Sequence, residues 1–318
     1  GTNCLKWDGL KSRFGNENLI AMWVADMDFK APQPVIDALK ERVNHGIFGY
    51  NIIPDSYYEA FINWEKEKHG YNVKKEWIRF SPGVVPALFW FINILTNPGD
   101  SCIVMGPVYY PFHDAIKENE RKLIFNNLKN DNGIYTIDFE KFEEDIIENQ
   151  VKLFILSSPH NPIGRVWTKE ELKRVLDICK ANDVFVLADE IHQDIIIGDK
   201  KQIPAATIGN YDDILVTLTA ATKTFNLASC QNSFVVIPND EIREKFDKYY
   251  NSIGGDNGNV FGYIAVEAAY RYGEEWLKEI LDKIRGNYEY TKSILSKHLP
   301  HVVVSPLEGT YLAWYDFS

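Results

Sequence analysis

The chain has 318 residues, 45% of them hydrophobic and 25% charged, which suits a water-soluble enzyme with one large domain and a smaller one. Its net charge of −11 argues against nucleic acid or an anionic membrane as the main partner. No apolar run approaches the roughly 18 residues of a membrane span, and no secretion signal opens the chain.

In chain order, helices are expected at Pro34–His45 and Ser56–His69, each stopped by a glycine, Gly46 and Gly70. A third apolar helix, Ala87–Leu95, runs into the turn Asn97-Pro98-Gly99-Asp100. From there short apolar runs alternate with helical patterns. Strands are expected at Ser101–Met105, Arg121–Phe125, Lys152–Leu156, Val184–Ala188, Ile214–Leu218 and Ser233–Ile237, with helices at Tyr110–Asn119 and Thr168–Asn182. Thr168 and Glu171 have capping-box spacing. Continuous apolar strands between helices predict a mostly parallel sheet buried on both faces. The pattern then changes to long helices, Asp240–Ile253, Val260–Tyr272 and Glu274–Leu299, followed by strands at His301–Ser305 and Thr310–Tyr315. Long helices followed by strands read as the start of a second α+β domain, incomplete at Ser318, and Gly1 in place of an initiator Met reads as trimmed termini. The domains expected are 1–45 (start of the small domain), 46–255 (large domain) and 256–318 (connecting helices and C-terminal small domain).

The cysteines, Cys4, Cys102, Cys179 and Cys230, are widely spaced, as reduced thiols of a cytoplasmic protein would be. No HExxH or CxxC pattern points to a metal.

Four segments carry chemistry, each at an expected strand end, where open α/β sheets bind ligands. Ser81–Leu88 sets Gly83, Val84 and Val85 at the start of a helix, whose N–H groups and dipole suit a phosphate, or only a turn before a core helix. Ser157–Gly164 holds Asn161 between two prolines in an expected extended loop; its amide can bond a phenolic oxygen or carboxylate, or the segment is an ordinary turn. Asp189-Glu190-Ile191-His192 offers a carboxylate for a heteroaromatic cation, or a structural polar pair. Lys223, just past an apolar strand among small and hydroxylated residues, is an amine whose pKa burial would lower, or a surface lysine. Taken together, in this order, they supply the imine lysine, the acid, the O3′ donor and the phosphate cup that pyridoxal 5′-phosphate (PLP) requires.

At these residues the chain resembles the fold-type I PLP enzymes of the aminotransferase class I/II superfamily. More narrowly it is similar to the MalY/PatB-type carbon–sulfur β-lyases, also called cystathionine β-lyases. The match rests on Lys6-Trp7-Asp8, Met22–Phe29, Phe48-Gly49-Tyr50, Ser81–Leu88, Pro159–Trp167, Asp189–His192 and Ala221–Gln231. The resemblance implies a seven-stranded-type sheet sandwiched by helices, with a smaller α+β domain. It implies Lys223 as Schiff-base lysine and proton shuttle, Asp189 on the pyridine nitrogen, and Asn161 on O3′ and the substrate carboxylate. It places His192 near O3′, Tyr109 over the ring, and Gly83, Val84, Val85 and Thr222 at the phosphate. Lys223, Asp189 and Tyr109 form the implied catalytic set, with Ala25 lining the substrate side. Tyr50 would reach the phosphate of a neighbouring subunit in a cytoplasmic homodimer. Where many aminotransferases have an arginine on the phosphate, this chain has Gln231, which favours lyase over transaminase. The arginine for the substrate α-carboxylate is expected beyond Ser318. An aminotransferase on the same scaffold, or a PLP-binding regulatory protein, stays compatible with these residues.

Overall fold

The computed structural model describes residues 1–255 and 258–318. Two short helices, α1 (Leu5–Asp8) and α2 (Leu10–Phe14), precede α3 (Gln33–His45) and α4 (Asp55–Trp64). Strand β1 (Ile78–Ser81) leads into α5 (Val84–Leu95), then β2 (Ser101–Gly106), α6 (Pro111–Glu118) and β3 (Lys122–Asn127). A hairpin of β4 (Lys129–Asp131) and β5 (Ile134–Thr136) precedes α7 (Phe139–Glu148), β6 (Val151–Ser157), α8 (Lys169–Ala181) and β7 (Phe185–Asp189). Next come β8 (Leu215–Thr219), the one-turn α9 (Ala221–Thr224), β9 (Ser233–Val236), α10 (Asp240–Ser252), α11 (Val260–Tyr272) and α12 (Glu274–His298). Two-residue strands, β10 (Val303–Val304) and β11 (Tyr315–Asp316), pair antiparallel.

Seven strands form one sheet in the order β1-β9-β8-β7-β6-β2-β3. Only β9 is reversed, antiparallel to both β1 and β8, so the sheet is mostly parallel. Side chains alternate between two helical layers with the period of two that a pleated strand imposes. Ile103, Met105, Phe154, Leu156 and Val186 pack with Phe142 of α7 and Leu172, Val175 and Leu176 of α8. Cys102, Val104, Leu153, Ile155 and Leu187 pack on the other face with α5, α6 and α10, through Phe91, Phe112 and Phe246. A further cluster joins α3, α4 and α11 to β9 through Val35, Phe61, Phe234 and Val266.

Several expected elements differ. Helix α5 begins at Val84 rather than Ala87, because Pro86 falls in its first turn, where no N–H has an intrahelical partner. The helix expected over Ser56–His69 ends at Trp64 and continues as a π-turn, Glu65–His69, stopped by Gly70 at φ 68°. The strand expected over Thr310–Tyr315 is mostly loop: Thr310 takes φ 65° and its N–H bonds the Ile195 carbonyl, a loop partner instead of a strand. His301–Ser305 shrinks to the two residues of β10. The loop holding Asn161 is not extended but a tight turn: Gly164, at φ 73°, lets its N–H bond the His160 carbonyl, and His160 pairs with Arg165. The domain boundary expected at 255/256 adjoins Asp256 and Asn257, outside the described residues. Among the described residues no helix is long and apolar enough to cross a membrane.

Candidate active site

The carboxyl ends of β1, β6, β7 and β8 open onto a cavity of about 190 Å³. Ala25, Gly83, Val84, Val85, Tyr109, Asn161, Asp189, His192, Thr222 and Lys223 all line it. Tyr50 does not; it is fully exposed, beside the exposed Ile47, Phe48 and Ile52. Gln231 is also exposed, in the left-handed region, and does not line the cavity.

Each side chain has a structural reason for its place. The first N–H groups of α5 have no intrahelical acceptor and face the cavity at the positive end of the dipole. Ser157 Oγ accepts the Asn161 N–H at 3.0 Å, and the Asn161 carbonyl accepts from the Tyr109 N–H at 3.1 Å, which ties the amide loop to the Tyr109 loop. Asn161 Nδ2 lies 3.4 Å from His192 Nε2, while His192 Nδ1 is buried with no hydrogen-bond partner among the described residues. Burial pushes His192 down to about 3, with the Lys223 charge adding to it. The imidazole is therefore neutral.

Burial raises Asp189 to about 7, against the Ile191 N–H on its Oδ1 at 3.1 Å and the charge of Lys223. Lys223 is shifted the other way: burial lowers it, opposed by Asp26 and Asp189. Its Nζ donates to the Ala25 carbonyl at 2.5 Å, which also accepts from Tyr311 Oη at 2.8 Å. Tyr109 is raised to about 12 by burial and the nearby Asp189 charge. Such a site offers an amine able to form an imine, a carboxylate short of a counter-cation, and an anion-binding helix terminus.

Some functional positions lay outside the sequence reading. Tyr311 packs edge-on against His192, ring centroids 5.8 Å apart, and burial raises its phenol. Asn226, quoted only within a motif, holds the segment before α3: its Oδ1 accepts from the Met27 N–H, and its Nδ2 donates to the Met27 and Phe29 carbonyls. Lys6 anchors the same segment through Asp28 at 2.8 Å and Asp26 at 3.4 Å.

Directly behind Asp189, Glu190 is buried. Its Oε1 accepts from the Ala205 N–H at 2.7 Å and its Oε2 has no partner among the described residues. Burial, with Glu65 adding repulsion, raises it to about 8. This folded-state value lies above the ordinary carboxyl value of about 4.3, so the folded chain holds an extra proton. That contribution is complete below the unfolded value and is lost as pH rises through about 8. His160, held down to about 4 chiefly by burial, and His192 act oppositely, costing stability only below their unfolded value of about 6.5. The unfolding free energy of the cofactor-free protein should therefore fall between pH 6.5 and 8. Glu190→Gln should flatten that slope by up to ~1.4 kcal/mol per pH unit, read by urea denaturation at stepped pH. An unchanged slope would mean that the carboxyl is ionised throughout.

Comparison with known proteins agrees with this architecture. A family model, "Aminotransferase class I and II", matches residues 17–318. Cystathionine beta-lyase PatB of Bacillus subtilis (strain 168) is 41% identical over 319 residues, spanning 100% of this chain and 82% of that protein. A PLP-bound structure from Clostridium difficile 630, described as a candidate aminotransferase, superposes with TM-score 0.96 at 42% identity, covering 99% of this chain and 82% of the other. Cystalysin from Treponema denticola, which contains PLP, superposes with TM-score 0.95 at 36% identity, covering 99% and 81%. With a seven-stranded sheet of this order and a lysine, an acid and a helix terminus around one cavity at its carboxyl edge, the chain belongs to the aminotransferase class I and II family.

Proposed function

We propose that the chain is a PLP-dependent carbon–sulfur β-lyase that cleaves cystathionine and related cysteine S-conjugates to a thiol, pyruvate and ammonia. The observation that carries the reading is that Lys223, Asp189, Asn161 and the start of α5 line one cavity, in a chain 41% identical to a cystathionine beta-lyase; burial lowering the lysine and raising the aspartic acid agrees with it. The donor set fits the cofactor. Lys223 would hold it through the amine, Asp189 would meet the ring nitrogen, and Asn161 with neutral His192 would face O3′. The N–H groups at the start of α5 and the Thr222 hydroxyl would take the phosphate, and Tyr109 would cover the ring.

Bound there, PLP supplies an electron sink for the pair left when the substrate Cα–H bond breaks. The protein's part is proton traffic and orientation. Lys223, uncharged more readily than an exposed lysine because burial disfavours its charge, would take the substrate Cα proton at Nζ. Asp189 would meet a cationic ring nitrogen with its carboxylate and hold that charge where burial leaves little water to compete. The Ala25 carbonyl accepts from Lys223 and lies on the cavity wall, so it sets the direction in which the freed amine points. Loss of the Cβ thiolate and hydrolysis of the remaining three-carbon fragment would convert cystathionine and water to homocysteine, pyruvate and ammonia.

The test is product balance. PLP-loaded protein given cystathionine should release thiol, pyruvate and ammonia in equal amounts without a keto acid. Keto-acid-dependent amino transfer with no thiol would replace this reading with the aminotransferase one. Borohydride should trap the cofactor on the peptide that carries Lys223; trapping on another lysine would overturn the site.

The same reading includes a cytoplasmic homodimer with shared sites. The four cysteines are free, as a reducing compartment keeps them. Tyr50 and its exposed apolar neighbours make a surface that a second copy would cover. Tyr50→Phe should weaken PLP retention by about 10- to 100-fold without loss of fold, since a hydrogen bond to a charged group is worth ~1.5–3 kcal/mol. Measured PLP affinity equal to wild type, or a strictly monomeric protein with full cofactor, counts against it.

A further inference from the structure

On the side of the site away from the cavity, one buried carboxylate joins the two turns that carry Asp189 and Lys223. Asp194 lies five residues past Asp189, and Thr224 follows Lys223 directly. Thr224 Oγ1 donates to Asp194 Oδ2 at 2.7 Å. Asp194 Oδ1 receives Trp64 Nε1 at 2.8 Å and His69 Nε2 at 2.8 Å. Gln193 continues the network, its amide donating to Glu65 Oε1 at 2.6 Å and Thr219 Oγ1 at 3.1 Å.

We infer that Asp194 is a positioning residue for the lysine chemistry, clamping the Lys223 turn to the Asp189 turn through Thr224 and bracing both on Trp64 at the end of α4 and on His69 of the π-turn after it. The sheet does not do this by itself. Pairing between β7 and β8 ends at Asp189 and Leu218, with one further backbone bond from the Glu190 N–H to the Leu218 carbonyl at 2.8 Å and the Thr219 hydroxyl on the Glu190 carbonyl at 3.4 Å. Lys223 sits beyond that point on α9, a single four-residue turn too short to be stable without outside contacts.

The partners are matched to a charge. Burial alone would raise Asp194, yet His69, Thr224 and Trp64 hold it below the ordinary value. Burial alone would lower His69, yet Asp194 raises it to about 9, so a cation and an anion meet largely out of water, with the carboxylate bonded at both oxygens. The π-turn over Glu65–His69 carries the imidazole that meets Asp194, and π-turns are frequent at functional sites. Packing does not explain the arrangement alone, because a second cavity of about 270 Å³ borders Trp64, His69, Gln193 and Asp194 on the outer flank.

This inference rests on Lys223 being the cofactor lysine, so borohydride trapping on its peptide comes first in wild-type holoenzyme. Thr224→Val then removes the hydroxyl at nearly constant shape, and Thr224→Ser keeps it. In the valine variant kcat should fall about 10- to 100-fold with KM within about twofold, as a misplaced group costs rate more than binding. The circular dichroism of bound PLP should change and PLP should dissociate faster, while Thr224→Ser stays close to wild type in all four readouts. A valine variant with a lower melting temperature but wild-type kcat and dichroism reduces Asp194 to a structural role and overturns the clamp. Should that variant not fold, His69→Gln must alter the dichroism of bound PLP; a wild-type signal there overturns it equally. Trapping on Lys223 with a silent valine variant defeats the clamp alone, whereas trapping elsewhere defeats the site reading first.

Discussion

Lys223→Ala should lower kcat for thiol release from cystathionine by roughly 10³–10⁴-fold, the loss expected when a positioned proton-transfer group disappears. Melting should not suffer. The native site keeps an amine where burial disfavours its charge, so its removal should leave the cofactor-free protein as stable as wild type or more so. Activity and stability moving in opposite directions separate a functional loss from unfolding. A thiol assay and a thermal melt on the same preparation decide it, and turnover within tenfold of wild type would refute the assignment.

Asp189→Asn should cost about 10²–10³-fold in kcat, the price of removing one preorganised electrostatic partner from a dry site. The amide keeps the shape and can still accept the Ile191 N–H, but it carries no charge to hold a protonated ring nitrogen. Because that charge matters after binding, KM should change little and kcat/KM should fall with kcat. The cofactor-free variant should also be less dependent on pH near 7, since a carboxyl that titrates at about 7 has gone. A kcat loss under tenfold would mean that another group holds the ring nitrogen.

Strands β2, β6, β7, β8 and β9 were legible because each is a short apolar run buried on both faces, and such runs persist whatever the tertiary setting; the largely exposed β4–β5 hairpin carried no such signal and was not expected. Helix α11 appeared with its bounds, Val260–Tyr272, and the α8 capping box formed as spaced: Thr168 Oγ1 accepts from the Glu171 N–H at 3.1 Å, and Glu171 Oε2 from the Thr168 N–H at 2.8 Å. The reversal of β9 was not legible, since an apolar run carries no direction. Nor was the π-turn after Trp64, where one extra residue per turn leaves hydrophobic spacing almost unaltered.

Lys223, Asp189 and Asn161 could be singled out because each follows a strand, where topology leaves room for a ligand. Asp194 could not. Its partners Trp64, His69 and Thr224 stand 130, 125 and 30 residues away, a separation with no local pattern. A carboxylate set between Gln193 and the run Ile195–Ile197 was the one available sign of a buried charge. Tyr311 lay in a segment read as a strand, and its bond to Ala25 depends on a loop closing back across the sheet.

The Ala25 carbonyl, bonded to Lys223 at a separation of 198 residues and to Tyr311 at 286, has a consequence for synthesis on the ribosome. The segment around Ala25 emerges early and meets Lys6 close at hand, but its bonds to Lys223 and Asn226 and then to Tyr311 wait for chain made far later. At bacterial and eukaryotic translation speeds that wait is roughly 15–60 s. The sheet between β2 and β9 can assemble within that interval. Contacts of such high sequence separation are slow to form, because the loop-closure entropy is met before they reward it. In a nascent chain the Ala25 carbonyl would therefore meet its second donor only after translation has passed α12 and the loop beyond.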